Sequence, residues 1–169
     1  MSLDAATRAR LERLGNRPSP DGWCAAWNSL LLTLFPLEQD YVVGPRKRQS
    51  AEGDLIIEVA KATYPESPSE LIEDRIVLVV EIKDYQHWDH GKGPLMQQLS
   101  QQTDDAFKDT ARDKLFWIAT IGPHWLYGEK KRRRRMKPFI EWQHAAFDDS
   151  SCGDLEQLVG LVRSLAEDE

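Results

Sequence analysis

The spacing of apolar residues along this chain predicts an alternation of helices and short strands. Apolar positions three or four apart indicate helices, and short β-branched runs indicate strands. Helices are predicted at Leu3–Leu14, Trp23–Phe35, Leu95–Arg112 and Gly153–Glu167, and strands at Gln39–Gly44, Gly53–Val59, Arg75–Lys83 and Leu115–Ile121, with Trp125–Gly128 and Pro138–Trp142 as a hairpin. The polar stretch Ala60–Asp74, which contains two prolines, is predicted to be a loop.

The third predicted strand, Arg75–Lys83, is apolar on both faces until its last residues, which is typical of a central strand covered on both sides. A helix and another apolar strand follow it, so we expect these two strands to pair in parallel. The order of elements indicates an α/β fold with a mixed central sheet flanked by helices on both faces. A chain of 169 residues predicts a single domain, with a core at about 21–122, a basic hairpin at 124–142 and a C-terminal helix at 153–167.

Three charged residues stand where the second predicted strand begins and the third ends. Asp54 opens the second strand, and Glu81 and Lys83 close the third, where their spacing of two puts them on one face. If these strands pair antiparallel, the two carboxylates converge at one end of the sheet. Such ligands, with the backbone carbonyl of Ile82 as a third, suit Mg²⁺, and Lys83 would then lie beside an attacking water and a phosphate. The alternative is a solvated ion pair of Glu81 with Lys83 at a strand end.

This pattern resembles the PD-(D/E)XK superfamily of nucleases, also called restriction-endonuclease-like. The resemblance rests on Asp54 followed by Glu81-x-Lys83 after an apolar strand, and it covers roughly residues 21–122. It implies an αβββαβ core in which Asp54 and Glu81 bind Mg²⁺ (or Mn²⁺) and Lys83 assists the attacking water. The expected function is therefore metal-dependent hydrolysis of phosphodiester bonds in nucleic acid, with DNA as the expected substrate.

The helix after the third strand carries a further candidate. Members of the superfamily often have a glutamine there, and Gln98 followed by Leu99 is the better match, with Gln102 one turn further on the same face. A homodimer is compatible with the resemblance, because many nucleases of this fold cut both strands as dimers. The alternative function is a catalytically silent domain of this fold that binds nucleic acid or a protein partner.

Charge is segregated along the chain rather than spread over it. The net charge of −6 arises from residues 148–169, which hold seven acidic residues and one arginine, whereas residues 129–137 hold seven basic residues and one acid. The longest basic run has three interpretations: contact with nucleic-acid phosphates, a nuclear-localisation patch, or a solvated hairpin tip. Its members are Lys130, Lys131, Arg132, Arg133, Arg134 and Arg135.

Composition narrows the cellular setting. The longest apolar run, Leu30–Phe35, is far shorter than the ~20 residues of a membrane span, so no membrane partner is expected. The charged N-terminus is unlike a signal peptide, and Cys24 and Cys152 match no disulfide or metal spacing. An intracellular location, cytoplasmic or nuclear, is therefore expected.

Two weaker signals concern aromatic and histidine residues. The loop containing His87 and His90 lacks a third soft ligand, so a solvated loop is expected there rather than a second metal site. Trp117 lies in a strongly apolar element and should be buried. Trp88 and Trp125 stand beside loops and charges and are expected nearer the surface, with Trp88 close enough to the predicted site to touch substrate.

Overall fold

A mixed sheet organises the computed structural model, which describes residues 3–16, 22–45, 55–64, 73–144 and 147–168. Six strands lie side by side in chain order: β1 (Tyr41–Pro45), β2 (Leu55–Thr63), β3 (Glu73–Lys83), β4 (Lys114–Ile121), β5 (His124–Lys131) and β6 (Lys137–Pro138). The helices are α1 (Ala5–Gly15), α2 (Gly22–Leu34), α3 (Lys92–Ala106) and α4 (Asp149–Glu167), with short 3₁₀ helices at Leu37–Gln39 and Tyr85–His87.

The parallel pairing of β3 with β4 agrees with the sequence prediction. β1, β2 and β3 pair antiparallel, β3 and β4 pair parallel, and β4, β5 and β6 pair antiparallel. The helix between the two parallel strands is α3, which packs on both of them. The predicted α/β fold with a mixed sheet and helices on both faces is thereby confirmed.

One face of the sheet, here called the α4 face, packs against α2 and α4, and α1 packs on α2. Helix α2 is apolar around most of its circumference and buries Trp27, Leu30 and Leu31 completely. Each such side chain contributes about 1.5–3 kcal/mol on burial. The sheet residues in this layer are Ile57, Val59, Val77, Leu78, Val80, Ile82, Phe116, Ile118, Trp125 and Tyr127.

The other face, here called the α3 face, is covered by a smaller apolar cluster around α3. That helix buries Leu95, Leu99, Thr103 and Ala106, which recur at helical spacing. The sheet residues beneath it are Ile56, Ala60, Ile76, Val79, Leu115, Trp117, Ala119, Ile121 and Leu126. Because side chains alternate along a strand, Glu81 and Lys83, which flank Ile82, lie on this face.

Several predicted boundaries are wrong, and contacts distant in sequence explain them. β2 continues to Thr63 and β3 begins at Glu73, so the ends of the predicted loop 60–74 pair as strands. Helix α3 ends at Ala106 instead of Arg112. The Arg132 guanidinium donates hydrogen bonds to the carbonyls of Phe107 and Thr110, which follow the helix.

Helix α4 also begins earlier than predicted, because Asp148 caps it. The Asp148 carboxylate accepts hydrogen bonds from the backbone N–H groups of Ser150 and Ser151, at 3.0 and 3.1 Å. The prediction that Trp125 lies near the surface is wrong: it is fully buried beside Trp27, and its indole N–H donates to Ser151 at 3.3 Å. Trp117 is buried as predicted.

Within the described ranges, no helix combines the length and apolar character needed to cross a membrane.

Candidate functional site

The end of β3 and the start of β2 lie side by side, as the antiparallel hypothesis requires. Leu55, the first described residue of β2, is opposite Ile82, and the next pair is Ile56 with Glu81. On the other side of β3, Glu81 is opposite Ala119. We call this region the Glu81 end of the sheet: residues 81–83 with their neighbours 55–56 and 119–122.

Glu81 and Lys83 are charged residues inside the fold. Glu81 has no exposed surface, and 8% of Lys83 is exposed. Both lie on the α3 face of β3. This strand has β2 on one side and β4 on the other, so the two residues are not at a solvent-exposed edge of the sheet. Burial of a charge is costly unless an opposite charge, hydrogen bonds or a metal compensates it. The alternative of a solvated Glu81–Lys83 pair at a strand end is therefore disfavoured.

The backbone around Lys83 fixes the direction of the Ile82 carbonyl. The Lys83 carbonyl accepts a hydrogen bond from the N–H of Gly122 at 2.9 Å, so it points toward β4. Successive carbonyls of a strand point to opposite sides, so the Ile82 carbonyl points toward β2. Gly122 has φ of 57°, and this residue followed by Pro123 suits a type II′ turn between β4 and β5.

Asp54, the first predicted metal ligand, lies outside the described residues. It immediately precedes Leu55 in sequence, and Leu55 is opposite the residue between Glu81 and Lys83. The other two predicted ligands, the Glu81 carboxylate and the Ile82 carbonyl, are described and adjacent in β3.

The glutamines of α3 fall into two classes. Gln97 and Gln101 are exposed, whereas Gln98 and Gln102 are half-buried and their amide oxygens are fully covered. Gln98 and Gln102 therefore lie against the rest of the fold. They belong to α3, the helix on the same face of the sheet as Glu81, which is where a supporting glutamine was predicted.

Glu58 is an acidic residue on the same face to which sequence reasoning gave no role. It is half-buried, one of its carboxylate oxygens is fully covered, and it lies opposite Val79. It is therefore the diagonal cross-strand neighbour of Glu81, at about 7–8 Å between side-chain positions. The alternation of β2 was the available signal, since it predicts that Glu58 shares a face with position 54.

A ring cluster closes the Glu81 end beyond Gly122. Trp88 stacks on His124 with ring centroids 3.6 Å apart, and the Lys92 ammonium lies 3.7 Å from the Trp88 ring centre. His144 packs against His124 at 4.7 Å. Burial lowers the pKa of His124 below its ordinary value, and the nearby charges of His144 and Lys92 lower it further. The cluster fixes the connection between β3 and α3 against the turn after β4.

Two members of the basic run point into the protein. Lys130 is 2% exposed, and its ammonium is 2.8 Å from the Asp104 carboxylate and donates to the Ser100 carbonyl at 2.8 Å. The Arg132 guanidinium donates to carbonyls just beyond the end of α3, at distances of 2.7 to 2.9 Å: those of Phe107, Thr110 and Arg112. These two side chains are engaged in holding β5 to α3.

The other four members of the run are exposed: Lys131, Arg133, Arg134 and Arg135. We call them the arginine tip. Lys131 pairs with Lys114 at the start of β4, whereas Glu81 is opposite Ala119. Five residues of strand separate those two β4 positions, or about 17 Å. The arginine tip therefore lies at the opposite end of the sheet from Glu81.

The donor groups at the Glu81 end suit a divalent cation that takes few protein ligands. In the parts of the chain that the structure describes, no group of three or more His, Cys, Asp or Glu side chains is placed to hold a metal ion. Mg²⁺ needs fewer, because it keeps several waters and takes one or two carboxylates. The buried Glu81 carboxylate beside a carbonyl that points toward β2 fits that requirement.

Comparison of the chain with models of protein families, with curated proteins and with solved structures found no match. Interpretation of the site therefore depends on its own residues and geometry.

Proposed function

We propose that this protein is a metal-dependent phosphodiesterase that hydrolyses nucleic acid, with DNA as its expected substrate. The proposal combines the PD-(D/E)XK resemblance of the sequence with the geometry of the Glu81 end. It assigns metal binding to Asp54, Glu81 and the Ile82 carbonyl, and it assigns orientation of the attacking water to Lys83.

The order and pairing of the elements support this assignment. Helix α2 is followed by three antiparallel strands, by α3, and by β4 in parallel with β3. That succession has the αβββαβ order of a restriction-endonuclease-like core, and Glu81 and Lys83 occupy the end of its third strand.

A single observation carries the proposal: the register of β2 against β3. Leu55 is opposite Ile82, so the first described residue of β2 lies at the same end of the sheet as Glu81 and Lys83. Leu55 and Ile82, which are 27 positions apart in the chain, are thereby brought to one locality, which a chance Asp…Glu-x-Lys pattern does not require.

The chemistry follows from the residue types. A bound Mg²⁺ or Mn²⁺ would polarise the scissile phosphate and make a water more acidic. The Glu81 carboxylate would help to hold that cation, and the Lys83 ammonium would orient the attacking water and stabilise charge that develops on the phosphoryl oxygens. Gln98, half-buried on α3, would hold this arrangement by hydrogen bonding. Glu58 is a further carboxylate on the same face of the sheet.

The test is cleavage of plasmid and of single-stranded DNA with Mg²⁺, with Mn²⁺ and with EDTA. Wild-type protein should cleave only with a divalent cation, and Lys83→Ala should lower the rate about 10²-fold, because a stabilising charge is lost from the transition state. Lys108→Ala is the matched control, since Lys108 is an exposed lysine after α3.

The outcomes separate the two candidate functions. Equal rates for wild type and Lys83→Ala would reject the assigned role of Lys83. DNA binding without cleavage under any of these metals would favour the silent binding domain, and that result would be reinforced if Glu81→Gln left binding unchanged.

A further inference from the structure

The arginine tip is presented on a rigid support. Lys130 and Arg132 alternate with its members along the chain and anchor the segment to α3 and to the residues just after it. The turn at its apex is closed by a hydrogen bond from the Arg134 N–H to the Lys131 carbonyl at 2.9 Å. The backbone that carries the exposed guanidinium groups is therefore held in place before any ligand arrives, which reduces the cost of binding.

The arginine tip has charged residues at positions where glycine or an uncharged residue would make the fold more stable. Arg133 has φ of 61°, a left-handed conformation that glycine adopts without strain. Lys131 lies directly opposite Lys114, and like charges in that position repel. Backbone strain and charge repulsion at one surface indicate that the cations serve a ligand rather than the fold.

The ligand chemistry follows from what the surface lacks. In the described segment 131–135 every exposed side chain is cationic, and Met136 beyond it is half-buried. Protein interfaces are enriched in arginine, but they combine it with apolar and aromatic groups at their centre, and no such group is exposed in this segment. A phosphate backbone requires only positive charge, because its binding is driven by release of counterions.

In the part of the chain that the structure describes, too few acidic side chains lie near the arginine tip to neutralise its positive charge. The Asp113 carboxylate lies 3.4 Å from the guanidinium of Arg132, which with Lys130 anchors the segment to the fold. Glu129 is opposite Lys137 on β6. Among the described residues, no ion pair involves Arg133, Arg134 or Arg135.

We infer that the arginine tip binds the phosphate backbone of nucleic acid, without a metal and separately from the Glu81 end. The two regions lie at opposite ends of the sheet, so binding at the tip and hydrolysis at Glu81 are separable. The tip acts as a sequence-independent tether that raises the local concentration of nucleic acid near the protein.

The experiment measures binding of labelled 20-nucleotide single-stranded and duplex DNA by fluorescence anisotropy, in EDTA, from 50 to 300 mM salt. Arg133→Gln/Arg134→Gln/Arg135→Gln should weaken binding at least 10-fold at low salt and should reduce the slope of log K against log salt by about 3, one for each lost phosphate contact. The matched control removes three exposed cations elsewhere: Arg10→Gln/Arg13→Gln/Lys108→Gln, which should change affinity less than 2-fold.

A single substitution guards against misfolding of the triple variant. Arg133→Gly relieves the left-handed strain, so it should raise the unfolding midpoint by about 2–4 °C while weakening DNA binding. A gain in stability with unchanged binding would overturn the inference.

Three further outcomes are decisive. Equal weakening by the control triple would mean that only net charge matters, and it would overturn the inference. So would binding that depends on a divalent cation, or preference for an acidic protein over DNA at matched salt. Absence of cleavage by the wild-type protein, with DNA binding intact, would count against the hydrolytic proposal alone.

Discussion

The Glu81 end and the arginine tip show two different uses of charge in one sheet. At the Glu81 end, a carboxylate and an ammonium are buried beneath α3, which a fold tolerates only where they are compensated. At the tip, four cations face solvent, and two neighbours in the same run are buried or half-buried against α3. The contrast teaches that burial, rather than the number of charges, distinguishes the candidate metal site from the exposed surface proposed to bind phosphates.

Helix α3 joins the two regions. Its Ser100 and Asp104 hold Lys130 of β5, and its Gln98 and Gln102 are half-buried on the helix that covers Glu81. A substitution in either region is therefore informative only if the other is measured at the same time.

The largest expected effect is the separation of cleavage from binding. Glu81→Gln preserves the shape of the buried side chain and removes the charge that would hold the cation, so cleavage should fall about 10³-fold while DNA binding in EDTA stays at the wild-type level. The arginine-tip triple variant should show the reverse pattern, with weaker binding and an unchanged turnover number at saturating DNA.

Glu73→Gln is the matched control for Glu81→Gln, because Glu73 is an exposed glutamate at the opposite end of β3. It should leave both activities unchanged. A loss of DNA binding in Glu81→Gln equal to its loss of cleavage would merge the two regions into one surface and end the comparison.

The second effect concerns stability within the basic run. Lys130→Met removes charged hydrogen bonds to α3 and should lower the free energy of unfolding by about 2 kcal/mol, because the neighbouring acceptors lose their partner. Lys131→Met, at the next position, should change it by less than about 0.5 kcal/mol. Urea unfolding monitored by tryptophan fluorescence measures both.

Equal costs for the two lysines would contradict the division of the run into anchoring and exposed members. The pair is matched in residue type and in substitution, and it differs only in burial.

The smallest effect is a dependence of stability on pH at the Glu81 end. Burial lowers the pKa of His124 below 6.5 in the folded protein, so the unfolded chain takes up a proton on this residue first as pH falls. The contribution of His124 to stability is thus complete above pH 6.5 and declines as pH drops through 6.5 toward the lowered folded value. His124→Gln should flatten that decline in a series of thermal melts, whereas His90→Gln should leave it in place.

Sequence patterns predicted the fold well because its strands are strongly apolar and its elements are local. The run 75–83 lies within β3 and pairs in parallel with β4 as expected, and the order of strands and helices is correct. The positions of Glu81 and Lys83 at a strand end also follow from pattern alone.

Features set by distant contacts were missed. The sequence does not distinguish Lys130 from its exposed neighbours, because nothing in it reveals that Asp104 and Ser100 lie across from this residue. The burial of Trp125 depends on α2 and α4, which are remote in the chain. Glu58 was overlooked because strand alternation gives a face but not a neighbour, and only the register places it diagonal to Glu81.

The central claim is that one divalent cation is held between the start of β2 and the end of β3. Anomalous diffraction from crystals of the wild-type protein grown with Mn²⁺ tests it most directly. The account predicts a peak within about 2.0–2.3 Å of both a Glu81 carboxylate oxygen and the Ile82 carbonyl oxygen, with Asp54 completing the protein ligands. The absence of a peak there at saturating Mn²⁺, or a peak bound only by other residues, would contradict it.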